Sequence, residues 1–268
     1  MKRVLIVLFF VPFWLHSQPN CKVYEGDCKK ACELAVKPGG GQGSRSSQDK
    51  FDRAIALCPD QIAYFYMEKA VPYLKRGDFI AWKKLIDKAV EIDPIGQLGY
   101  RGWCRFQFLR DYEGAIKDIE LLDSIMVADI GYGQNGQYHL YTTLALCYKK
   151  LGEIDKAIDI LEKHTGTTNY SPWAFEYLHL GVMYLEQKNF DKAQICFNKQ
   201  LKVVDLAETN YYLAKTIKEL GNSNYIEHLK IAEIHYVSGR KLHDVYTTNV
   251  DKIYLKDIQQ MMREENQD

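Results

Sequence analysis

Residues 175–201, FEYLHLGVMYLEQKNFDKAQICFNKQL, carry two successive helical patterns of apolar positions. Apolar residues recur at intervals of three and four along 177–184, and again along 190–197. This spacing places each set on one face of an α-helix. A short polar stretch, 187–189, separates the two sets. The pattern therefore predicts a helical hairpin with one apolar face on each arm.

Gly181 stands in the middle of the first predicted helix, where glycine costs about 1 kcal/mol relative to alanine. A glycine inside a helix often indicates that another helix approaches closely at that point. Ala193 is the corresponding small residue on the second helix. We therefore expect tyrosine and phenylalanine side chains to fill the space beside these two small residues.

The same order of large and small residues recurs in the segments 64–94, 99–123, 140–164 and 209–229. Its period is close to the ~34 residues of tetratricopeptide repeats, and the segments resemble that family. They show its aromatic residue, its leucine followed by a small residue, its tyrosine, its turn glycine, its second-helix alanine and its closing proline. The resemblance is to exported bacterial members and covers roughly residues 63–235.

This resemblance implies an all-α fold, a right-handed superhelical solenoid of antiparallel helix pairs. A single hairpin cannot bury its apolar face, so stacked neighbours bury one continuous core. The sequence departs from the family pattern at two points. The second repeat has Arg110 and Asp111 where the turn glycine belongs, and only the first repeat keeps its closing proline, Pro94.

The chain is predicted to have four parts. Residues 1–18 form a secretory signal peptide, and 19–62 form an N-terminal helix pair with a Gly/Ser-rich loop. About five repeats occupy 63–237, and a C-terminal capping helix with a tail occupies 238–268. The expected apolar stripe of the capping helix is Val250, Ile253, Tyr254, Ile258 and either Met261 or Met262.

The N-terminus predicts export. Lys2 and Arg3 precede an apolar run, 4–15, that is too short to span a bilayer but suits a secretory leader. The protein is therefore expected to be periplasmic or secreted. A lipid on Cys21 would give the only membrane contact, but the preceding residues 18–20, Gln-Pro-Asn, do not resemble a lipoprotein site.

Four of the seven cysteines lie close together in the sequence, at Cys21, Cys28, Cys32 and Cys58. In an exported chain such clusters favour disulfides. Cys58 could pair with either Cys28 or Cys32 and so close the loop between them. The remaining three are expected to pack in repeat helices as free thiols, as buried cysteines often do; they are Cys104, Cys147 and Cys196.

Several classes of function are not favoured by the sequence. Basic and acidic side chains balance at 35 each, so no nucleic-acid partner is expected. The motif at 131–136, Gly-x-Gly-x-x-Gly, lacks a preceding strand, so it predicts an inserted loop and no nucleotide cofactor. No metal site is expected from the histidines at 228, 235 and 243, and no catalytic motif is present. The protein is predicted not to be an enzyme.

The resemblance implies that the first helix of each hairpin lines a concave groove that binds a partner protein or peptide. Aromatic side chains there would supply most of the binding energy. The predicted partner-binding residues are Tyr64, Met67, Tyr100, Phe108, His139, Phe175, Leu178, Tyr211 and Lys215. Some family members clamp a peptide carboxylate with basic residues, but only Arg101 is of a suitable type at the matching positions, which favours a mostly apolar ligand.

Two functions remain open from the sequence. The first is a scaffold or adaptor in the bacterial cell envelope, with one stoichiometric partner. The second is a chaperone-like holding factor that shields exported polypeptides. Promiscuous binders use methionine-rich surfaces, and this groove offers only Met67 and Met183, which favours the adaptor.

Overall fold

The computed structural model describes residues 18–37, 41–167, 170–172 and 174–265. Within these ranges the chain forms α-helices and no strand, and a single antiparallel bridge joins Tyr132 to His139. The predicted all-α fold is confirmed. The predicted signal peptide falls almost entirely on residues 1–17, which lie outside the described residues.

The chain divides into two compact units. Unit 1 is the described chain up to Ile92, and unit 2 begins at Asp93. The helices of unit 1 are α1 (Gly26–Val36), α2 (Arg45–Leu57), α3 (Ala63–Lys75) and α4 (Phe79–Ile92). The helices of unit 2 are α5 (Pro94–Cys104), α6 (Tyr112–Ile125), α7 (Leu140–Lys150), α8 (Ile154–Thr165), α9 (Glu176–Glu186), α10 (Phe190–Val203), α11 (Ala207–Glu219), α12 (Tyr225–Val237) and α13 (Leu255–Glu265).

Unit 1 combines a small core with two disulfides. Helix α1 packs on α2, and α3 packs on α4. Cys21 is bonded to Cys32, and Cys28 to Cys58. The second bond is one of the two pairings that the sequence left open. Cys32 and Cys58 are both part of the buried cluster that α1, α2 and the start of α3 share.

Unit 2 is a stack of hairpins. Helices α5 and α6, α7 and α8, α9 and α10, and α11 and α12 pair, and each second helix also packs on the first helix of the next pair. The first helices contact one another in turn, α5 with α7, α7 with α9, and α9 with α11. We call these four helices, with the π-helical turn Arg105–Leu109 that extends α5, the first-helix row.

The hairpin turns share one backbone feature, a residue with a positive φ. Three turns use glycine, at Gly77, Gly152 and Gly221. The other two use Arg110 (φ 56°) and Lys188 (φ 59°). The turn geometry of the second repeat is therefore kept although glycine is absent, at the steric cost that a side chain has in the left-handed region.

Gly181 lies where α9 meets α10. A Cβ atom at this position would come within 2.6 Å of the Phe197 ring, and Phe197 is fully buried. The close approach predicted from the sequence is confirmed, and the aromatic ring fills the space that the glycine leaves.

The glycine motif at 131–136 forms a tight loop between α6 and α7. The N–H of Gly133 donates to the carbonyl oxygen of Tyr138 (2.8 Å), and the N–H of Leu140 donates to that of Gly131 (2.9 Å). A Cβ atom at Gly133 would lie 2.3 Å from the indole ring of Trp103. The glycines thus serve loop geometry and packing.

The C-terminal helix begins later than predicted. Val250 and Ile253 are buried, but they precede α13, which begins at Leu255. Residues 247–249, Thr-Thr-Asn, have low helix propensity, and their polar groups bond to distant parts of unit 2. Ile258 and Met261 form the buried face of α13, whereas Tyr254 is exposed.

The Gly181→Ala substitution is expected to destabilise unit 2 by about 1–3 kcal/mol, because the added methyl overlaps a ring that cannot move in a filled core. This overlap outweighs the helix-propensity gain of about 1 kcal/mol. Urea denaturation measures the change. Asn198→Ala, at an exposed position of α10, is the matched control and should be close to neutral. A Gly181→Ala protein as stable as the control would contradict the close approach.

The Cys28–Cys58 disulfide closes 30 residues, and its removal should destabilise unit 1 by roughly 3–4 kcal/mol. Hydrogen exchange of Cys28→Ser/Cys58→Ser measures this change. Amides of α1 and α2 should lose protection by about a hundredfold or more. Amides of α7 and α9 serve as the internal control. Unchanged protection in α1 would refute the contribution of this disulfide to the stability of unit 1.

Candidate interaction surface

Residues 240–254 leave α12, cross the first-helix row and return without forming a helix. We call this segment the strap. Its outgoing limb begins beside α11, where the N–H of Ala207 donates to the carbonyl oxygen of Arg240 (2.9 Å). The N–H of Leu242 donates to the Glu208 carboxylate (3.0 Å).

The tip of the strap lies against the C-terminal end of α5. The rings of Phe108 and Tyr246 are 6.3 Å apart between centroids. The side chain of Gln107 donates to the hydroxyl of Thr247, and the guanidinium of Arg110 donates to the carbonyl oxygen of Thr248 (2.6 Å). Arg110, the residue at the turn that lacks glycine, therefore also holds the strap.

Asp244 shapes the tip. Its Oδ1 accepts hydrogen bonds from the N–H groups of Tyr246 and Thr247, both at 2.8 Å. Such an Asx turn reverses the chain locally. Val245 and Tyr246 are exposed, by 79% and 61%.

The returning limb is more deeply buried. Asn249 donates to the hydroxyl of Tyr138 (3.2 Å), and the burial of this tyrosine raises the pKa of its hydroxyl. Asp251 then enters between α7 and α9. Its carboxylate accepts from Lys149 Nζ at 2.7 Å and contacts Nδ1 of His179 at 2.8 Å.

The Asp251 carboxylate is ionised and buried, with 7% of its side chain exposed. Burial alone would raise its pKa, but the bond from His179 and the charge of Lys149 outweigh burial and lower the pKa to about 2. Lys149 also contacts Glu186 (2.9 Å), whose side chain is 45% exposed. Removing the Asp251 charge would leave the buried Lys149 ammonium with less compensation, which is destabilising.

Glu208 lies beside both limbs of the strap. Its carboxylate accepts from the amide of Leu242 on the outgoing limb (3.0 Å), and the amide of Ile253 on the returning limb lies near it. Burial raises the pKa of Glu208, and these amides partly offset that effect. Leu242 and Ile253 are both buried, so the limbs close over α11 as a pair.

Three polar atoms under the strap have no protein hydrogen-bond partner among the described residues. They are Nε2 of His179, Oε1 of Glu208 and Oδ1 of Asn249. A buried polar atom without a partner costs about 1–3 kcal/mol. The strap therefore fits the first-helix row closely but does not satisfy all of its polar groups.

The sequence-predicted partner-binding residues are exposed to very different degrees. Met67, His139 and Leu178 are buried and do not face solvent. Only Lys215 is fully exposed, and the other five are half-buried; they are Tyr64, Tyr100, Phe108, Phe175 and Tyr211. Tyr64 and Met67 belong to unit 1, and all the others belong to unit 2.

Within unit 2 the strap covers part of the predicted groove. Phe108 touches the strap directly, and Phe175 packs on Tyr138 (5.7 Å between centroids), which bonds to the strap. Leu178 was predicted to face the groove, but its side chain lies in the core of the α9–α10 hairpin. Sequence spacing alone could not distinguish the groove face of α9 from the packed face, because α9 is apolar on every side.

His139 caps α7 and does not face the groove. Its Nδ1 accepts from the N–H of Tyr141 (3.2 Å), and its Nε2 lies 2.9 Å from Asp129. Its ring stacks on His164 at 4.2 Å between centroids. Burial lowers the pKa of His139, and burial together with the charge of His139 lowers that of His164 to about 4.

Tyr211 and Lys215 lie in a cleft of about 290 Å³ that α11 forms with the C-terminal helix. Asp257 and Glu264 of α13 line the same cleft, so Lys215 faces an acidic wall. Arg101, the one candidate for a carboxylate clamp, instead makes a two-point ion pair with Asp118 (2.9 and 2.6 Å).

The strap was not predicted from the sequence, because 238–268 was assigned to a C-terminal capping helix with a tail. The available signal was the run of β-branched and asparagine residues at 247–249, which disfavours helix. The ion pair between Asp251 and Lys149 joins positions 102 apart in sequence, and no local pattern reveals such a contact.

Two further observations concern the described part of the chain. It contains no group of three or more histidine, cysteine or acidic side chains arranged to hold a metal ion. None of its helices has both the length and the apolar character that crossing a bilayer requires.

We expect Asp251→Asn to destabilise unit 2 at neutral pH. The size of this effect should depend on pH, because the pKa of Asp251 is lowered in the folded protein. The folded pKa of about 2 lies below the ordinary 3.8, so the ionised group contributes stability above about pH 4. That contribution, about 2 kcal/mol, disappears as the pH falls toward 2. Asparagine tolerates the left-handed backbone of position 251 (φ 59°), so the change isolates the charge.

Hydrogen exchange of the α7 and α9 amides, followed from pH 7 to pH 2, measures the difference in stability between wild type and Asp251→Asn. Asp159→Asn removes the same charge from an exposed pair with Lys163 and should change stability little at any pH. A difference between wild type and Asp251→Asn that stays constant across this range would refute the role of the ionised carboxylate.

A family model for the tetratricopeptide repeat matches residues 138–164 and 177–203, the α7–α8 and α9–α10 hairpins. Comparison with curated protein sequences gives no significant match.

Solved structures share the fold. The type IV pilus biogenesis factor PilW superposes with a TM-score of 0.61 at 14% identity, covering 89% of this chain and 100% of PilW. Pseudomonas aeruginosa PilF gives 0.61 at 11% identity, over 89% of this chain and 97% of PilF. YrrB, a repeat protein with an unusual peptide-binding site, gives 0.50 at 18% identity, over 72% and 98%. At these identities the likeness concerns the fold, and the family model identifies the α7–α8 and α9–α10 hairpins as tetratricopeptide repeats within it.

Proposed function

We propose that this protein is a non-enzymatic, exported interaction module that binds an extended polypeptide segment along the first-helix row of unit 2. It acts as a scaffold or adaptor in the bacterial cell envelope. Tetratricopeptide-repeat folds generally serve protein–protein interaction, and the proposal names the surface and the kind of ligand.

One observation carries the proposal. The first-helix row already holds an extended polypeptide, the strap, through side-chain and main-chain bonds on every one of its four helices or their extensions. A surface that binds a polypeptide segment of its own chain has the chemistry to bind a polypeptide segment of another protein. The residues we assign to partner binding are those that are not fully buried: Tyr100, Phe108, Phe175, Tyr211 and Lys215.

Export is supported by the cysteines. Disulfides persist in oxidising compartments, and unit 1 contains two of them. The Sγ of Cys21 is bonded to Cys32, so in this state it has no free valence for a lipid. PilW, which shares the fold, is a pilus biogenesis factor, and an envelope role is consistent with that likeness.

The adaptor is favoured over the holding factor by the nature of the surface. Met67 and Met183, the methionines that would suit promiscuous binding, are buried. The strap is instead held by polar anchors at fixed positions, which select a sequence. Fixed polar anchors predict one partner rather than many.

Crosslinking in the native envelope, followed by affinity purification of the full chain, tests the proposal. Wild type is compared with Tyr100→Ala/Phe175→Ala, and the matched control is Tyr112→Ala/Tyr236→Ala, which changes two half-buried tyrosines on second helices. All variants are first checked for unchanged helicity.

We expect one dominant crosslinked protein that the first variant loses and the control keeps. A broad ladder of exported proteins would favour the holding factor. A dominant partner that survives Tyr100→Ala/Phe175→Ala would show that the first-helix row is not the binding surface.

A further inference from the structure

The site that receives Asp251 requires an anion. Lys149 and His179 are almost fully buried, with 8% and 0% of their side chains exposed. Glu186 reaches Lys149, but Asp251 is the acidic group that contacts both. The buried ammonium of Lys149 is unfavourable unless a counter-charge accompanies it. Any segment that replaces the strap must therefore bring its own carboxylate.

The site also requires main-chain donors. The carboxylate of Glu208 accepts from the amide of Leu242 (3.0 Å), and the amide of Ile253, two residues after Asp251, lies near it. Val250 and Ile253, on either side of Asp251, are buried. A ligand that satisfies these groups together is an extended polypeptide with the pattern aliphatic, acidic, any residue, aliphatic.

The strap leaves room for a better ligand. Among the described residues, Nε2 of His179 and Oδ1 of Asn249 have no protein hydrogen-bond partner, and the tip exposes Val245 and Tyr246. A competing segment that supplies a hydrogen-bond partner to Nε2 would gain what the strap lacks.

We propose that the strap is an internal ligand, and that the external ligand is an acidic, extended polypeptide segment that displaces it and places its carboxylate between Lys149 and His179. This inference rests on the proposed function and specifies its ligand. The strap closes the surface by its high effective concentration, because it is tethered to the same chain. Only molecules with an open strap bind the external segment, so the apparent affinity is lowered in proportion to the fraction of open molecules.

A peptide of residues 242–254, LHDVYTTNVDKIY, tests the recognition directly. The control is the same peptide with the D251N change. Both are titrated against three full-length chains: wild type, Asp251→Asn, and Asp159→Asn as a matched control at an exposed pair.

The peptide with the acid should bind the Asp251→Asn chain at least about tenfold more tightly than the D251N peptide does. It should also bind that chain at least about tenfold more tightly than it binds wild type or Asp159→Asn. Equal affinities for the two peptides, or no binding to any chain, would overturn the proposal.

A second measurement uses the wild-type chain, so it does not depend on how the Asp251→Asn chain folds. Saturating the chain with the acidic peptide should speed hydrogen exchange at the amide of Leu242, because its bond to Glu208 is lost when the native strap leaves. The D251N peptide should leave exchange at this amide unchanged at the same concentration. Unchanged exchange with saturating acidic peptide would show that the strap is not displaced.

Gln107→Cys/Thr247→Cys separates this inference from the proposed function. The two native side chains are hydrogen-bonded, so a disulfide that forms between the two cysteines locks the tip of the strap, and mass spectrometry verifies its formation before binding is measured. Oxidised, this variant should lose the envelope partner by at least about tenfold relative to its reduced form, with wild type under the same reductant as control. If partner binding still depends on Tyr100 and Phe175 but does not change when the disulfide forms, the strap is not displaced by the partner. That result would overturn this inference and leave the proposed function supported.

Discussion

The fold depends on one constraint: no hairpin in this chain can bury its own apolar face. Within a stack, a first helix packs against the second helix of its own pair and against that of the preceding pair. The helices approach closely only where a small residue meets a large one. Gly181 against Phe197 shows this contact in its tightest form. Once the hairpins stack in this way, the first helices come into contact with each other and form a continuous surface.

That surface is not left open. The strap crosses it in both directions, and its outgoing limb is bonded to Glu208. The strongest single contact is electrostatic, because Asp251 enters a buried site that already holds Lys149 and His179. A buried ion pair contributes little net stability compared with apolar packing, but it discriminates strongly against a segment that lacks the charge. The arrangement therefore suits selection of a ligand more than stabilisation of the fold.

Unit 1 is stabilised by different means. Its buried cluster is small, and it includes Cys32 and Cys58 as packed residues as well as bonded ones. Small cores are marginal, and crosslinks that restrict the unfolded chain compensate for the limited apolar area. Unit 2, whose free cysteines Cys104, Cys147 and Cys196 are buried, relies on stacking alone.

The sequence by itself determined the helices, their pairing and the resemblance to tetratricopeptide repeats, because helical periodicity and the close contact at Gly181 are local patterns. It also restricted Cys58 to two possible partners. Only the tertiary structure decided that Cys28 is the partner, that Arg101 is engaged by Asp118, and that Leu178 and His139 face inward. The strap was beyond the reach of the sequence because its contacts join distant positions, such as Asp251 with Lys149. The sequence shows that Val250, Asp251 and Ile253 are apolar, acidic and apolar. The buried site that these three residues occupy forms only when the four hairpins have stacked.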